Sequence, residues 1–195
     1  NVKKNIVKLT LKEGTNVRQM AKAIEEKTGI KAEDFLNKIN DETYINTLID
    51  KYWFITDAVK NPQIYYDLEG YLYPETYIFA SKDVKIEDVF TKMLDETDKR
   101  LSNYKDEIES SSYSLHEIMT LASIVELEGA KATDRSKVAG VFYNRLDHNM
   151  ALGSDVTTYY AEKIDDFSKS LSSDELNNCN NKYNTRCPSY LGLPI

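Results

Sequence analysis

Between residues 86 and 147, three consecutive stretches place apolar side chains at helical spacing, which limits this part of the chain to a mainly helical fold. We predict a long amphipathic helix over residues 86–108. A second helix is predicted to begin after Ser114 and to end at Gly129, and a third to cover residues 134–147. Each helix is expected to bury one apolar face against its neighbours.

The beginning of the chain has a different pattern. Residues 7–12 alternate between apolar and polar side chains, which is typical of a strand with one buried face. Thr15 or Asn16 can cap a helix that runs to about Thr28, and a second short helix is predicted over residues 32–39. The predicted fold class is therefore α+β, with a small strand-helix-helix subdomain followed by a mainly helical domain with short strands.

Residues 50–77 are rich in aromatic side chains, and Pro74 disfavours a helix there. We expect extended or looped backbone with exposed aromatic side chains in this segment. The run from Tyr71 to Tyr77 could stack against sugar rings, or it could be an aromatic stripe of the core. The sequence leaves both interpretations open.

Glu126 has an unusual position on the second predicted helix. At about 100° per residue it falls between Leu115 and Met119, inside the apolar stripe. Glu128 falls on the opposite margin, beside Leu121. A carboxylate on an apolar face must be paired, hydrogen-bonded or protonated, and burial raises its pKa toward the range of a general acid.

The alternative for Glu126 is a structural ion pair, for example with Arg145 on the next helix. Two further segments are also ambiguous. The hydroxyl and acidic side chains of residues 153–160 could bind sugar hydroxyls, or Asp155 could cap a helix. Residues 183–185 could form a turn or contact a substrate.

Charge and cysteine content exclude several classes of function. The net charge of -7, without a basic stripe, argues against nucleic-acid binding. Cys179 and Cys187 can form a local disulfide in an oxidising compartment, or remain two thiols in a cytosolic protein. His116 and His148 do not combine with the cysteines into a metal-ligand spacing, so we expect no metal site and no cofactor.

Four blocks, taken in order, resemble the MltG (YceG-like) family of endolytic murein transglycosylases. The resemblance runs from about Val7 to Ile195, and YNT at 183–185 with GLP at 192–194 extends it. The four blocks are LEGYLYPETY at 68–77, ASIVELE at 122–128, VAGVFYNRL at 138–146 and LGSDVT at 152–157. One such block alone is a weak signal, but four in the family's order are specific.

The resemblance implies a lyase that cleaves peptidoglycan glycan strands and leaves 1,6-anhydro-N-acetylmuramic acid ends. It assigns the catalytic role to Glu126, with Glu128 as the fallback. By membership in these blocks, the residues expected to orient the substrate are Tyr73, Glu75, Asn144, Asp155, Thr157, Tyr183 and Asn184. A scaffold that binds the wall without cutting it, and a hydrolase that leaves reducing ends, are the competing functions.

The resemblance also implies a domain division and a location. Residues 1–49 resemble the end of a LysM-like subdomain, and residues 50–195 a catalytic domain truncated at its C-terminus. The chain has no initiator Met and is expected to be a fragment of a membrane-anchored protein at the extracytoplasmic face, where wall-synthesis proteins are candidate partners besides the glycan. Val156, Ala161 and the tail at 186–190 depart from the usual family residues.

Overall fold

A computed structural model describes residues 6–129 and 131–195 of the protein. The predicted alternation at the start of the chain is confirmed, because β1 (Val7–Thr10) buries every second residue. It pairs antiparallel with β2 (Thr76–Phe79), and Leu9 lies opposite Tyr77. The described residues contain this one two-stranded sheet among many helices, so the fold is α+β as predicted.

The chain divides into two units, one ending at Leu115 and the other beginning at His116. The helices of the first unit are α1 (Val17–Lys27), α2 (Ala32–Ile39), α3 (Glu42–Lys51), α4 (Ile86–Leu101) and α5 (Lys105–Glu109). Those that follow are α6 (Leu115–Glu128), α7 (Arg135–Asp147), α8 (Asp155–Ala161) and α9 (Ser173–Leu176). No helix within the described residues is long and apolar enough to cross a membrane.

Helix α1 begins where the sequence predicts. Asn16 caps it, accepting a hydrogen bond from the backbone N–H of Gln19 while the Gln19 side chain accepts one from the backbone N–H of Asn16. The carboxylate of Glu69 accepts a further bond from the N–H of Val17. Helix α3, capped by Asp41, was not predicted.

The long helix predicted over residues 86–108 is interrupted. Helix α4 ends at Leu101, a 3₁₀ turn covers Ser102–Tyr104, and α5 continues from Lys105. Only α4 buries an apolar stripe, because α5 has no buried residue. The interruption therefore follows the end of the packed face.

The expectation of exposed aromatic side chains over residues 50–77 is wrong for most of the segment. Phe54, Tyr71 and Tyr77 are buried, and the rings of Phe54 and Tyr71 stack at 6.4 Å. The hydroxyl of Thr97 on α4 donates to the Tyr71 carbonyl at 2.6 Å. These residues belong to the core of the first unit, and only some of the aromatic side chains, including Tyr73, are partly exposed.

The predicted LysM-like segment shares its core with the residues that follow it. β1 pairs with β2, and the ring of Phe35 on α2 stacks on that of Phe90 on α4 at 4.6 Å. The first five residues of the segment lie outside the described residues. The boundary between residues 49 and 50 stays a prediction.

Candidate active site

The second unit is built around one face of α6. Leu121, Ile124 and Val125 on this helix pack with Phe142 of α7 and Leu152 in a buried cluster. These residues recur at helical spacing, as predicted, and they fix the rotation of α6 about its axis. Every side chain on the last turns of this helix takes its direction from that packing.

Glu126 is partly buried on the turn that carries Ile124 and Val125. Its carboxylate makes no hydrogen bond or ion pair with residues 116–129 or 131–195 of the second unit. Within these residues, the Glu126 side chain is therefore not committed to a structural contact.

Arg145, the cation considered as a partner of Glu126, has a different role. Its guanidinium donates to the backbone carbonyl of Leu152 and thereby ties α7 to the segment before α8. A Cβ atom at Gly153 would lie 3.0 Å from Nη1 of Arg145, and Gly153 has a φ of +65°, so a larger residue would be strained there. The ion pair between Glu126 and Arg145 is not formed.

Glu128, the last residue of α6, is exposed. Its Oε1 accepts a hydrogen bond from the hydroxyl of Ser154 at 2.6 Å. Ser154 precedes the first residue of α8 and uses its hydroxyl for this contact instead of capping the helix. Glu128 therefore connects the end of α6 to the start of α8.

Ser154 belongs to a buried network of hydroxyl groups. Thr157 donates to the Ser154 carbonyl at 2.7 Å, and its hydroxyl lies 2.8 Å from that of Thr185. The hydroxyl of Thr185 accepts from the Ser154 N–H at 3.1 Å, and the Thr185 carbonyl accepts from Gly153 N–H at 2.9 Å. The network fixes the start of α8 against the segment around Thr185.

Asn184 is fully buried and completes this arrangement. Its Oδ1 accepts from the Thr158 hydroxyl at 2.9 Å, and its Nδ2 donates to backbone carbonyls of α9 and the following turn. The ring of the buried Tyr183 packs edge-on against Tyr160 at 4.9 Å. The structure thus brings the predicted residues Thr157, Tyr183 and Asn184 together in the interior of the unit, where they position α8. Their contact with a substrate stays a prediction.

Asp155 and Asn144 are exposed. Asp155 pairs with Arg186, whose Nη1 donates to Oδ1 at 2.6 Å. Asn144 lies on α7, and its backbone carbonyl accepts from the ring Nδ1 of His148 at 2.8 Å. Both side chains remain accessible for binding.

A disulfide joins Cys179 and Cys187, eight residues apart, and settles the choice that the sequence left open. The loop that it closes contains Tyr183, Asn184 and Thr185, the residues that hold α8 in place. Ser154, Thr158 and Thr185 lie within the two segments that the sequence left ambiguous, but they were not among the residues expected to orient the substrate.

Two predicted residues, Tyr73 and Glu75, lie in the first unit. Tyr73 is partly exposed, and the guanidinium of Arg100 lies over its ring at 5.0 Å. Glu75 is exposed, and its Oε1 accepts from the N–H of Thr76 at 2.8 Å. Within the described ranges, no group of three or more His, Cys, Asp or Glu side chains could hold a metal ion.

The chain is similar to proteins of known family. The YceG-like family matches residues 1–195. An endolytic murein transglycosylase of Bacillus subtilis (strain 168) is 38% identical over 154 residues, which cover 78% of this chain and 43% of the relative. That of Streptococcus pneumoniae serotype 2 is 40% identical over 161 residues, which cover 79% of this chain and 29% of the relative. The chain therefore spans less than half the length of these relatives.

A solved structure of a YceG-like protein is also similar to this chain. The crystal structure of a YceG-like protein from Listeria monocytogenes superposes with a TM-score of 0.89 at 35% sequence identity. The match covers 96% of this chain and 60% of that chain. The family match over the whole chain and the similarity to these relatives together establish that the protein belongs to the YceG-like family.

Proposed function

We propose that this chain is the catalytic part of an endolytic murein transglycosylase. The proposed reaction cleaves the β-1,4 bond between N-acetylmuramic acid and N-acetylglucosamine within a glycan strand. The observation that carries the proposal is the family match over residues 1–195, together with relatives of that name at 38% and 40% identity. The carboxylate of Glu126, unpaired within the described part of the second unit, supports it independently.

In the proposed mechanism Glu126 acts first as an acid and then as a base. Its protonated carboxyl donates the proton to the glycosidic oxygen, and the bond from that oxygen to the anomeric carbon breaks. The carboxylate then accepts the proton of the 6-hydroxyl of the same N-acetylmuramic acid, whose oxygen bonds to the anomeric carbon. The product is a 1,6-anhydro end, and no water is consumed.

One carboxylate is sufficient because the substrate supplies its own nucleophile, whereas most glycosidases need two carboxyl groups. A group that donates and accepts in turn needs a pKa near the working pH. An ion pair would hold the carboxylate in its charged form and oppose the first step. The absence of a cation bound to Glu126 within residues 116–129 and 131–195 favours this role.

The substitution Glu126→Gln tests the assignment, because an amide fills the same space but cannot donate an acidic proton. We expect at least about a 100-fold loss of anhydro-ended fragments from purified glycan strands, measured by mass spectrometry, with an unchanged thermal unfolding temperature. Glu128→Gln is the matched control, since its amide oxygen can still accept from Ser154. Near-parental amounts of anhydro products from the Glu126→Gln protein, or their loss in the Glu128→Gln variant alone, would reject Glu126.

Digestion in ¹⁸O-labelled water separates the proposed reaction from hydrolysis. A transglycosylase incorporates no label into the new ends, whereas a hydrolase incorporates one oxygen per cut. A scaffold that only binds the wall would release no fragments from the wild-type chain. That result would reject the enzymatic function altogether.

The location and the wider organisation are part of the same proposal. The whole protein is a membrane-anchored enzyme at the extracytoplasmic face, acts on peptidoglycan and meets wall-synthesis proteins there. Residues 1–49 are the end of a LysM-like subdomain. The disulfide supports this location, since such bonds persist mainly in oxidising compartments. Fractionation of cells that produce the full-length protein, followed by thiol labelling with and without reductant, tests both points.

A further inference from the structure

An aromatic ring and a guanidinium group are in contact in the first unit, and a carboxylate follows two residues further along the chain. The ring is that of Tyr73, covered by Arg100 at 5.0 Å, and the carboxylate is that of Glu75 two residues further on. Arg100 lies 25 positions away on α4, outside every motif that pointed to a function. Its role is therefore open.

Each of the three groups is held in place by the fold. The Nε of Arg100 donates to Glu96 at 2.7 Å, and the Glu96 side chain is only 17% exposed. The buried Tyr77 hydroxyl donates to the Tyr73 carbonyl at 2.7 Å, which fixes the backbone below the ring. The side chain of Glu75 accepts a hydrogen bond from the N–H of Thr76, and its backbone carbonyl accepts one from the N–H of Leu11. Such preorganisation lowers the entropy cost of binding.

The charged groups around Arg100 influence the pKa values in the cluster. Burial raises the pKa of the Tyr77 hydroxyl, and the negative charges of Glu96 and Glu75 raise it further, while Arg100 acts in the opposite direction. The pKa of Arg100 is raised chiefly by its hydrogen bond to Glu96, with smaller contributions that include the charge of Glu75. Glu96 also pairs with Lys99 at 3.2 Å, so the two carboxylates are matched by two cations.

The cluster retains unused hydrogen-bonding capacity. A guanidinium has five N–H donors. In Arg100, whose side chain is 49% exposed, only the Nε–H donates a hydrogen bond to a residue in the range 6–115. The Tyr73 hydroxyl and the second oxygen of Glu75 make no hydrogen bond with these residues either. Donors and acceptors are therefore available beside an aromatic ring.

This combination fits an uncharged sugar better than an anion. Sugar hydroxyl and acetamido groups both donate and accept hydrogen bonds, and their apolar faces pack on aromatic rings. An anion would find no net positive charge, because the cations of Arg100 and Lys99 are balanced by the carboxylates of Glu96 and Glu75. We propose that Arg100 is a specificity-determining residue that completes, with Tyr73 and Glu75, a subsite for the uncharged sugar units of a glycan strand. The identity of the ligand rests on the proposed function.

Binding measured without cleavage tests this subsite. In the Glu126→Gln background, we expect Arg100→Ala to raise the Kd for soluble glycan strands about 10-fold, by calorimetry. Lys92→Ala is the matched control, because Lys92 lies on the same helix and its ammonium lies over the Phe79 ring at 5.6 Å. The control should bind within about twofold of the parent. An unchanged Kd in a folded Arg100→Ala protein would overturn the proposal.

A second variant covers the case in which Arg100→Ala fails to fold. Arg100→Lys keeps the positive charge but loses the planar set of donors, and we expect it to raise Kd about threefold at an unchanged unfolding temperature. Parent-like binding by this variant would also overturn the proposal. In the otherwise wild-type enzyme, Arg100→Lys should raise KM and leave kcat unchanged, whereas a lowered kcat at unchanged KM would contradict a binding role.

Two ligand preparations identify the chemistry that is bound. Oligomers of N-acetylglucosamine, which carry neither a charge nor a stem peptide, should bind with an affinity that Arg100→Ala lowers, and free stem peptide should not compete. Displacement of the strands by free stem peptide would show that the peptide is the ligand and overturn the sugar subsite. If the wild-type chain binds strands through Arg100 yet releases no fragments, the proposed function fails while the subsite stands.

Discussion

The position of Glu126 could be predicted from the sequence as a chemical anomaly, because helical spacing alone sets a carboxylate beside Leu115 and Met119. Whether it was paired could not be predicted. That outcome depends on Arg145, whose guanidinium donates a hydrogen bond to the Leu152 carbonyl instead. Whether Arg145 binds Glu126 or the Leu152 carbonyl is decided by tertiary packing, and residue spacing in the sequence does not contain that information.

Asn184 shows how a residue from a functional motif can stabilise the interior. Its side chain is fully buried and is bonded to the Thr158 hydroxyl, the Arg186 N–H and three backbone carbonyls. Such a residue supports the site by fixing the position of α8. The motif indicated that Asn184 has a role, but it did not show whether the Asn184 side chain contacts substrate or lies in the core.

The substitution Asn184→Ala should lower the free energy of unfolding by about 3 kcal/mol, because it leaves several buried groups without a hydrogen-bond partner. Urea denaturation followed by circular dichroism measures the change. Asn180→Ala is the matched control, since Asn180 is exposed in the same disulfide loop. Equal stabilities of the two variants would contradict the structural role of Asn184.

At the level of elements, apolar periodicity predicted the helices that bury a clear stripe, such as α4 and α6, but it missed α3. That helix buries only Ile45 and Leu48, although its cap at Asp41 was visible in the sequence. The sequence also left the burial of Tyr71 open, because that burial depends on packing against residues such as Phe54, on whose ring the Tyr71 ring stacks. The local pattern of apolar residues predicts where a helix or strand forms, but it does not predict which other residues pack against it.

The disulfide is a second element-level feature, since it closes the loop that holds α8. Replacing both Cys179 and Cys187 by Ser should cost about 2.5 kcal/mol of stability for a loop of this length. The unfolding midpoint of the parent, but not of the double variant, should fall when dithiothreitol is added. A parent protein that is indifferent to reductant would show that the loop is held by its hydrogen bonds alone.

For the molecule as a whole, the resemblance to a family predicted a boundary after residue 49, whereas packing joins the residues on either side of it. β2 has its partner strand in β1, and Phe90 stacks on Phe35. Both contacts cross the predicted boundary. A boundary inferred from family likeness therefore need not be a boundary of folding.

A fragment that begins at residue 50 tests this interpretation. We expect residues 50–115 of the fragment to be unfolded, because β2 loses its partner strand and Phe90 its stacking neighbour. Trp53, which donates to Asp98 at 2.7 Å in the intact unit, should emit at the wavelength of a water-exposed indole. Phe35→Ala in the full chain is the milder test and should cost about 4 kcal/mol. Native Trp53 emission with cooperative unfolding in the fragment would mean that the first 49 residues are dispensable for this core.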